Sequence, residues 1–482
     1  MDIDVLLIHT HVTLNERYGS KKMKEAIGGN LPPLGVAHIA SYLKQNGFQV
    51  KIIDTSVAGF DINNIVKEIA CLKPRFIGLS SITAAFHRAL KLAETIKNVF
   101  PDILLAIGGH HATIMKNNLL ADYPCFDILA YGEGEYTALE LISKFKDHSY
   151  DTQSFIKDTD CLGVLKGIVY RRKGEIIVNS PREPIVDLDN LPDPSWELLD
   201  MQKYIPLPNC YLRKPVVNMV TARGCPFSCS FCSNNSVFGR HIRRMSPERV
   251  ISAFEHAQRI FKAKEIYFFD DTMTVDKAWI EKLCNIILDK KIDVTWTCVT
   301  RVDAVSRELL KLMKKAGCWN IFYGFESAEQ DLLDNINKGI TIEQSRQAVK
   351  WTKEAGIEIR ASFMLALPGE TPELARKTID FAIELDPDYA QFCITTPYPG
   401  TKLFAEADRF GFLSKDFSQY SIWNPVFVPL GYEDKDEVFK MEKEAMRRFY
   451  LRPKYIIKRL MRIRSFEDIK RNYKGLKMLS GF

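Results

Sequence analysis

Hydrophobic and polar positions along this chain fall into two alternating series with an irregular stretch between them. Short apolar runs at 5–8, 50–53, 76–79, 103–107 and 127–130 have strand length, and segments such as 34–46 and 85–99 carry apolar residues at helical spacing. Strands that alternate with helices predict a parallel, doubly wound α/β sheet over residues 1–145. Such sheets bind ligands beyond the carboxyl ends of their strands. Three polar, glycine-rich segments fall there: Ser80-Ser-Ile-Thr83, Gly108-Gly-His-His111 and Tyr131-Gly-Glu-Gly-Glu135. Each alone reads as a tight turn; three on one edge predict a ligand site without naming the ligand.

Residues 146–205 break the pattern. They hold one hairpin signal at 167–178 and a stretch rich in turn formers at 187–196, and read as a connecting segment. The alternation resumes over 206–400, with candidate strands at 216–221, 265–269, 293–298, 320–323, 358–365 and 389–394. Helical segments lie between them at 280–289, 308–315 and 343–354. Six βα units predict a full or partial parallel barrel, whose functional groups sit at the carboxyl ends of the strands. Residues 401–482 form a C-terminal extension that ends in a basic, helical tail.

Composition narrows the class. The 482 residues are 46% hydrophobic and 11% aromatic, enough for several buried cores, and no run approaches a membrane span. Eleven cysteines, eight of them scattered, are the usage of a reducing cytoplasm and not of a disulfide framework. The net charge of +6 hides an asymmetry: residues 447–482 hold twelve Lys or Arg against Glu467 and Asp468. That local +10 leaves about −4 for the rest of the chain. A basic amphipathic tail either caps the barrel with its basic face in water or lies on an anionic membrane. Pro453 interrupts its periodicity and favours the cap. No nucleic-acid recognition motif accompanies it.

The other eight cysteines being scattered, the remaining three stand out. Cys225, Cys229 and Cys232 lie within eight residues, directly after the first barrel strand. Three thiolates can hold three corners of a [4Fe–4S] cluster, which takes four ligands, so one iron stays open to a substrate or cofactor. A structural zinc site would need a fourth ligand, and neither His241 nor another cysteine has finger spacing. Phe231 is either plain packing or a shield for the open iron.

This motif, with Phe231 before its last cysteine, resembles that of the radical S-adenosylmethionine (SAM) enzymes. The resemblance implies that SAM chelates the open iron through its amino and carboxylate groups. One electron from the cluster then cleaves the sulfonium bond to methionine and a 5′-deoxyadenosyl radical. Strand ends at 268–272, 300–303, 321–327 and 362–370 resemble the SAM-contacting segments of the family's cobalamin-binding branch. They make Arg301, Glu326, Ser362 and Glu370, with Phe231, the implied SAM-binding residues. For Arg301 with Asp303, and for Asp270 with Asp271, the alternative is an ion pair at the barrel rim. Glu326, among apolar neighbours, needs a partner if it is buried.

Residues 1–145 resemble the Rossmann-like cobalamin-binding domain of the same branch. The resemblance runs through Leu31-Pro-Pro-Leu-Gly35, Gly108-Gly-His110 and Tyr131-Gly-Glu-Gly-Glu135. It implies a corrin held by Leu34, Gly35, Ser80, Thr83, Gly108, Gly109, His110, Tyr131, Gly132 and Glu133. The Asp-x-His-x-x-Gly motif that ligates cobalt in many cobalamin proteins is absent, so cobalamin is expected without a protein histidine on the metal. The implied chemistry is methylation of an unactivated carbon in a small-molecule or lipid substrate, with an electron donor such as ferredoxin or flavodoxin. Cyclisation or rearrangement without methyl transfer is the enzymatic alternative, and a cobalamin- or cluster-based sensor the non-enzymatic one. Aromatic residues between 398 and 425, among them Tyr398, Phe404, Phe412, Tyr420 and Trp423, suit a greasy substrate or ordinary packing.

Overall fold

The computed structural model describes residues 3–11 and 29–463, together with Ile469 and Tyr473. The part of the basic tail beyond Ile463 therefore lies, apart from those two, outside the described residues.

The first apolar series forms a sheet ordered β2-β1-β3-β4-β5-β6-β7. Its parallel strands are β1 (Val5–Thr10), β2 (Val50–Asp54), β3 (Phe76–Ser81), β4 (Leu104–Gly108) and β5 (Ile128–Ala130). Helices α1 (Leu34–Gln45), α2 (Ile62–Leu72), α3 (Phe86–Val99) and α4 (Gly134–Asp147) cover both faces. Two apolar cores result, one on each side of the sheet. The hairpin signal in the connecting segment has a different destination from the one expected. Strands β6 (Ile168–Arg172) and β7 (Glu175–Val178) pair antiparallel onto β5 and complete this sheet. An unpaired β5 edge would leave backbone donors and acceptors open, and the hairpin covers it.

The second series forms six parallel strands ordered β13-β12-β11-β10-β9-β8. They are β8 (Val216–Met219), β9 (Glu265–Phe268), β10 (Thr295–Thr300), β11 (Cys318–Glu326), β12 (Glu358–Leu365) and β13 (Tyr389–Ile394). Each crossover helix begins on a cap that is legible in the sequence. Ser246 caps α5 (Pro247–Phe261), Asp276 α6 (Lys277–Asp289) and Ser306 α7 (Arg307–Lys315). Thr341 and Gln344 form a capping box on α8 (Ile342–Glu354), and Thr371 caps α9 (Pro372–Leu385). Among the described residues β8 and β13 do not pair with each other, so the barrel is partial.

A polar layer closes the barrel beneath the strand ends. Arg360, buried, donates to Asn320 Oδ1 (2.6 Å), the Tyr267 hydroxyl (2.9 Å), Cys210 Sγ (2.9 Å) and Thr297 Oγ1 (3.1 Å). Buried cations are tolerated only when their donors are satisfied, and here every named partner comes from a different segment.

The C-terminal extension starts with a small antiparallel pair, β14 (Gly411–Leu413) and β15 (Phe427–Pro429). Tyr398, Phe404, Tyr420 and Phe427 pack into a local core there, while Phe412 is exposed. These aromatics therefore serve mainly as packing. Helix α10 (Lys435–Tyr450) then inserts Val438, Met441, Ala445 and Phe449 into the barrel's outer core, and α11 (Pro453–Met461) follows.

Candidate active site

The carboxyl ends of the two parallel sheets face one cavity of about 630 Å³. From the first sheet it is lined by Leu34, Gly35, Ser80, Gly108, Gly109, His110, Tyr131, Gly132 and Glu133, nine of the ten residues expected there. Thr83 is the tenth, and it stands behind the cavity wall with its hydroxyl 3.1 Å from His111 Nδ1. Gly109 has φ +92°, and a Cβ there would lie 2.8 Å from the Ser81 carbonyl, so only glycine serves this turn. The cavity also runs into the domain, between the sheet residues Leu7, Gly78 and Ala106 and the helix residues Ile39, Ala138 and Leu141.

Buried polar atoms from both sides of this cavity lack partners: His38 Nδ1 on α1 and Asn218 Oδ1 on the barrel strand β8. Burial lowers His38 to about 4, so its ring is neutral at pH 7. Polar turns at the mouth, orphaned polar atoms and an apolar slot suit a ligand that has an amide-rimmed face and a flat aromatic appendage. That is the chemistry of cobalamin.

Glu133 has a second engagement that spacing did not reveal. Its carboxylate accepts from Arg223 Nη1 (2.9 Å) and pairs with Arg243 Nη2 (2.5 Å), while Glu135 accepts from Arg223 Nη2 (2.5 Å). All four side chains are at most one-tenth exposed. Arg223 lies two residues before Cys225, so this buried network joins the first sheet's edge directly to the cysteine loop.

On the barrel side, Asp270 anchors the start of that loop. Its carboxylate accepts from the backbone of Thr221 (2.6 Å) and Ala222 (3.1 Å) and from the Thr221 hydroxyl. Asp271 points instead into the cavity, where burial and the neighbouring Asp270 push it up to about 7. Neither forms the rim ion pair that was the alternative for them. Further along, Asn235 Nδ2 holds the Phe227 carbonyl (2.7 Å) and Asn337 Nδ2 the Ser228 carbonyl (2.9 Å).

The three cysteines are free thiols at this strand edge, half-buried at Cys225 and Cys229 and exposed at Cys232. Burial raises Cys229 and lifts Cys232 to about 11, although Lys338 and Arg301 pull Cys229 down. Burial thus favours the protonated thiol at Cys229 and Cys232, and bound iron would take all three cysteines as thiolates. The donor set fits an iron–sulfur cluster with one iron free of protein.

Arg301 forms the expected pair with Asp303 (2.9 Å twice), and Nη1 also reaches 3.8 Å from Cys229 Sγ. Its guanidinium lies 3.7 Å from the centroid of Phe227. The rim ion pair that was the alternative for Arg301 is therefore present, and the same guanidinium stands beside Cys229. Glu326 finds the partner that burial demands in Lys338, at 2.5 Å, with both side chains 7% exposed. Glu326 has φ +65° at a bulge in β11, and a Cβ on Gly324 would sit 2.3 Å from its Oε1. Left-handed backbone at a carboxylate is strain that persists where the surroundings impose it. Lys338 also lies 5.9 Å from the Phe231 ring, which packs against Leu332, Ile336, Met364 and Leu367. Ser362 sits in register between Gly324 and Gln391, close to the Cys393 thiol.

Glu370 behaves differently from the others. It is fully buried, accepts from the Ala366 amide (2.5 Å) and the Tyr432 hydroxyl (2.7 Å), and leaves Oε2 unpartnered. It braces the turn after β12 from behind. Burial raises its carboxyl from 4.5 to about 8. A carboxyl held more basic in the fold favours folding while protonated, and that contribution declines as pH rises from 4.5 through 8. Glu370→Gln is therefore expected to flatten the loss of stability between pH 5.5 and 8, read as urea midpoints at both values. An unchanged pH slope would sink this assignment.

Sequence reasoning missed Lys338, Arg223, Asn218 and His38. Lys338 follows a turn with no periodicity to mark it, and only the buried Glu326 signalled that some cation had to come near.

A cysteine triad at the mouth of a partial parallel barrel, facing a doubly wound sheet across one cavity, defines an enzyme built for two large cofactors. Comparison with known proteins agrees. The radical SAM superfamily model matches residues 219–382 and the B12 binding domain model residues 21–142. An uncharacterised methyltransferase of Pyrococcus horikoshii is 35% identical over 94% of this chain and 95% of its own. The anaerobic magnesium-protoporphyrin IX monomethyl ester cyclase of Rubrivivax gelatinosus is 33% identical over 89% of this chain and 76% of its own. Among solved structures, the radical SAM methyltransferase TsrM of Kitasatospora setae superimposes with TM-score 0.71 at 15% identity, covering 100% of this chain and 99% of that one. The cobalamin-dependent SAM radical enzyme OxsB gives 0.72 at 20% identity, covering 99% and 71%. The chain belongs to the radical SAM family that carries an N-terminal B12-binding domain. Its cofactors are a [4Fe–4S] cluster, SAM and cobalamin.

Proposed function

We propose that this protein methylates an unactivated carbon of a small-molecule or lipid substrate in the cytoplasm, with ferredoxin or flavodoxin as electron donor. Residues 1–145, with the hairpin at 168–178 that completes their sheet, hold cobalamin, 206–400 hold the cluster and SAM, the rest of 146–205 connects them, and 401–482 form the extension. When bound, the cluster with SAM supplies a hydrogen-abstracting radical, and cobalamin supplies a transferable methyl group. Such a carbon offers no acidic proton to an ordinary base, so radical chemistry suits it.

The observation that carries this reading is the single cavity that runs from Ser80, Gly109 and Tyr131 to Phe269 and Asp271 beside the cysteine loop. A substrate held there would lie between the two cofactors and away from bulk water. In this reading Cys225, Cys229 and Cys232 hold the iron, and Arg301 and Lys338 offset its negative charge. Lys338 and Glu326 are placed to take the carboxylate and amino groups of SAM, with Phe231 and Ser362 shaping the pocket. Lys338→Met should weaken SAM binding about tenfold or more, since it strands a buried carboxylate. Equilibrium dialysis against the reconstituted protein measures this, and an unchanged Kd would remove Lys338 from the site.

SAM labelled in its methyl group tests the reaction. Label in the product, with 5′-deoxyadenosine formed alongside, supports methyl transfer. The cyclase relatives favour a second reading, ring formation on a tetrapyrrole-like substrate. That reading predicts 5′-deoxyadenosine with no label in the product. Reduction with an intact cluster and no 5′-deoxyadenosine at all would leave a sensor.

A further inference from the structure

Helix α11 is built inside out. The basic face of the tail was expected in water, yet its cations turn inward. Arg452 and Lys458 pair with Asp386 (3.2 and 3.4 Å), and Arg462 pairs with Asp388 and with Glu358 (3.3 Å). Arg459 Nη2 donates to the Tyr389 hydroxyl (2.6 Å), and the Tyr455 hydroxyl donates to the Asp388 carbonyl (3.0 Å).

The apolar residues face out. Ile456, Ile457, Leu460 and Met461 are 44, 56, 61 and 77% exposed. At 100° per residue these four cover one arc of about 140°. Single exposed apolar residues are ordinary, but four on one short helix form a patch that wants a partner. No helix among the described residues is long and apolar enough to cross a membrane, so the patch belongs at a surface.

Charge selects the occupant. Lys454 comes within 3.7 Å of Asp386 yet stands at the edge of the stripe with its side chain 78% exposed. Beyond Ile463 the sequence adds Arg464, Lys470, Arg471, Lys474 and Lys477 against only Glu467 and Asp468. A second copy docked two-fold on this stripe would bring two cationic tails together. An anionic bilayer instead offers acyl chains to the stripe and headgroup phosphates to the cations. We propose that α11 seats this protein on an anionic membrane surface, with Ile456, Ile457, Leu460 and Met461 dipping below the headgroups. The inference stands whether or not methyl transfer is the reaction.

The test floats the holoprotein with phosphatidylcholine vesicles that contain or lack about one-third phosphatidylglycerol. Binding to the anionic vesicles is expected, weakened but not abolished by salt. Ile457→Asn with Leu460→Asn should reduce it roughly tenfold or more. Cluster and cobalamin absorbance per chain report whether that variant is folded. If it is not, Met461→Asn, at the most exposed position, must still reduce binding. Failure of the wild-type protein to float, or binding indifferent to these substitutions, overturns the proposal. So does a dimer in solution that the same substitutions dissolve, because the stripe would then be covered by a second copy.

Discussion

Cys229→Ala is expected to abolish the iron–sulfur cluster and to lower reductive SAM cleavage by at least about three orders of magnitude. A cluster held by three protein thiolates has none to spare, and Cys229 is the one flanked by Arg301 and influenced by Lys338. The fold should survive, because the loop is held by other bonds. Asp270 anchors its start, Asn235 and Asn337 its middle, and the Ser230 amide donates to the Ile336 carbonyl (2.8 Å). Cys71→Ala, at an exposed thiol on the far domain, is the matched control and should change nothing. Iron and sulfide analysis of anaerobically reconstituted protein, with chromatography of 5′-deoxyadenosine, decides it. A variant that keeps the wild-type iron content would refute the ligand assignment.

Arg223→Ala has the largest expected effect on stability. It leaves Glu133 and Glu135 buried with a single remaining guanidinium, that of Arg243, and breaking a buried pair costs about 3–5 kcal/mol. The loss falls at the junction of the domains, so cobalamin retention should drop with it. Arg223→Lys keeps the charge but loses the fork that reaches both carboxylates, and should fall between. Replacing Arg223 by Met with Glu135 by Gln should recover part of the loss, since it removes the stranded charge. Acid provides an independent check. Arg223 holds Glu135 below its usual 4.5 despite burial. That contribution is present above pH 4.5 and is lost as pH falls through the lowered value. Urea midpoints and bound cobalamin per chain measure all three variants. An Arg223→Ala protein as stable as wild type would show that the network is incidental.

Much of the fold was legible from period alone. Strands 50–54, 358–365 and 389–394 lie almost where the apolar runs put them, because a short apolar run of strand length marks a strand before any tertiary partner is known. The barrel helices begin at Ser246, Asp276, Ser306, Thr341 and Thr371, local signals that need no tertiary partner. The hairpin at 168–178 was legible as a hairpin but not as the edge of the first sheet. Which open edge a hairpin covers depends on where β5 ends, and the hairpin's own alternation carries no record of it.

The site divides in the same way. Cysteine spacing and glycine-rich turns are short-range features; the turns line the cavity, and the cysteine loop lies beside it, where Arg223 and Asn234 reach the lining. For Glu370 the sequence left the direction open, because a carboxylate near a strand end looks alike whether it faces the cavity or braces the turn. Only its bonds to Ala366 and Tyr432 tell the two apart.

By itself, then, the sequence determined two parallel α/β units, a cluster of three cysteines after the first barrel strand and a basic tail. Each is written in spacing or composition over a few dozen residues. The tertiary structure alone decided that Lys338 meets Glu326, that Arg223 clasps Glu133 and Glu135, and that α11 turns its cations inward. The physical reason is common to all three. A charge drawn wholly or partly out of water needs its opposite, and that opposite lies 12, 88 to 90 and 66 to 104 residues away along the chain. Periodicity marks which residues share a face, while the fold determines what that face meets.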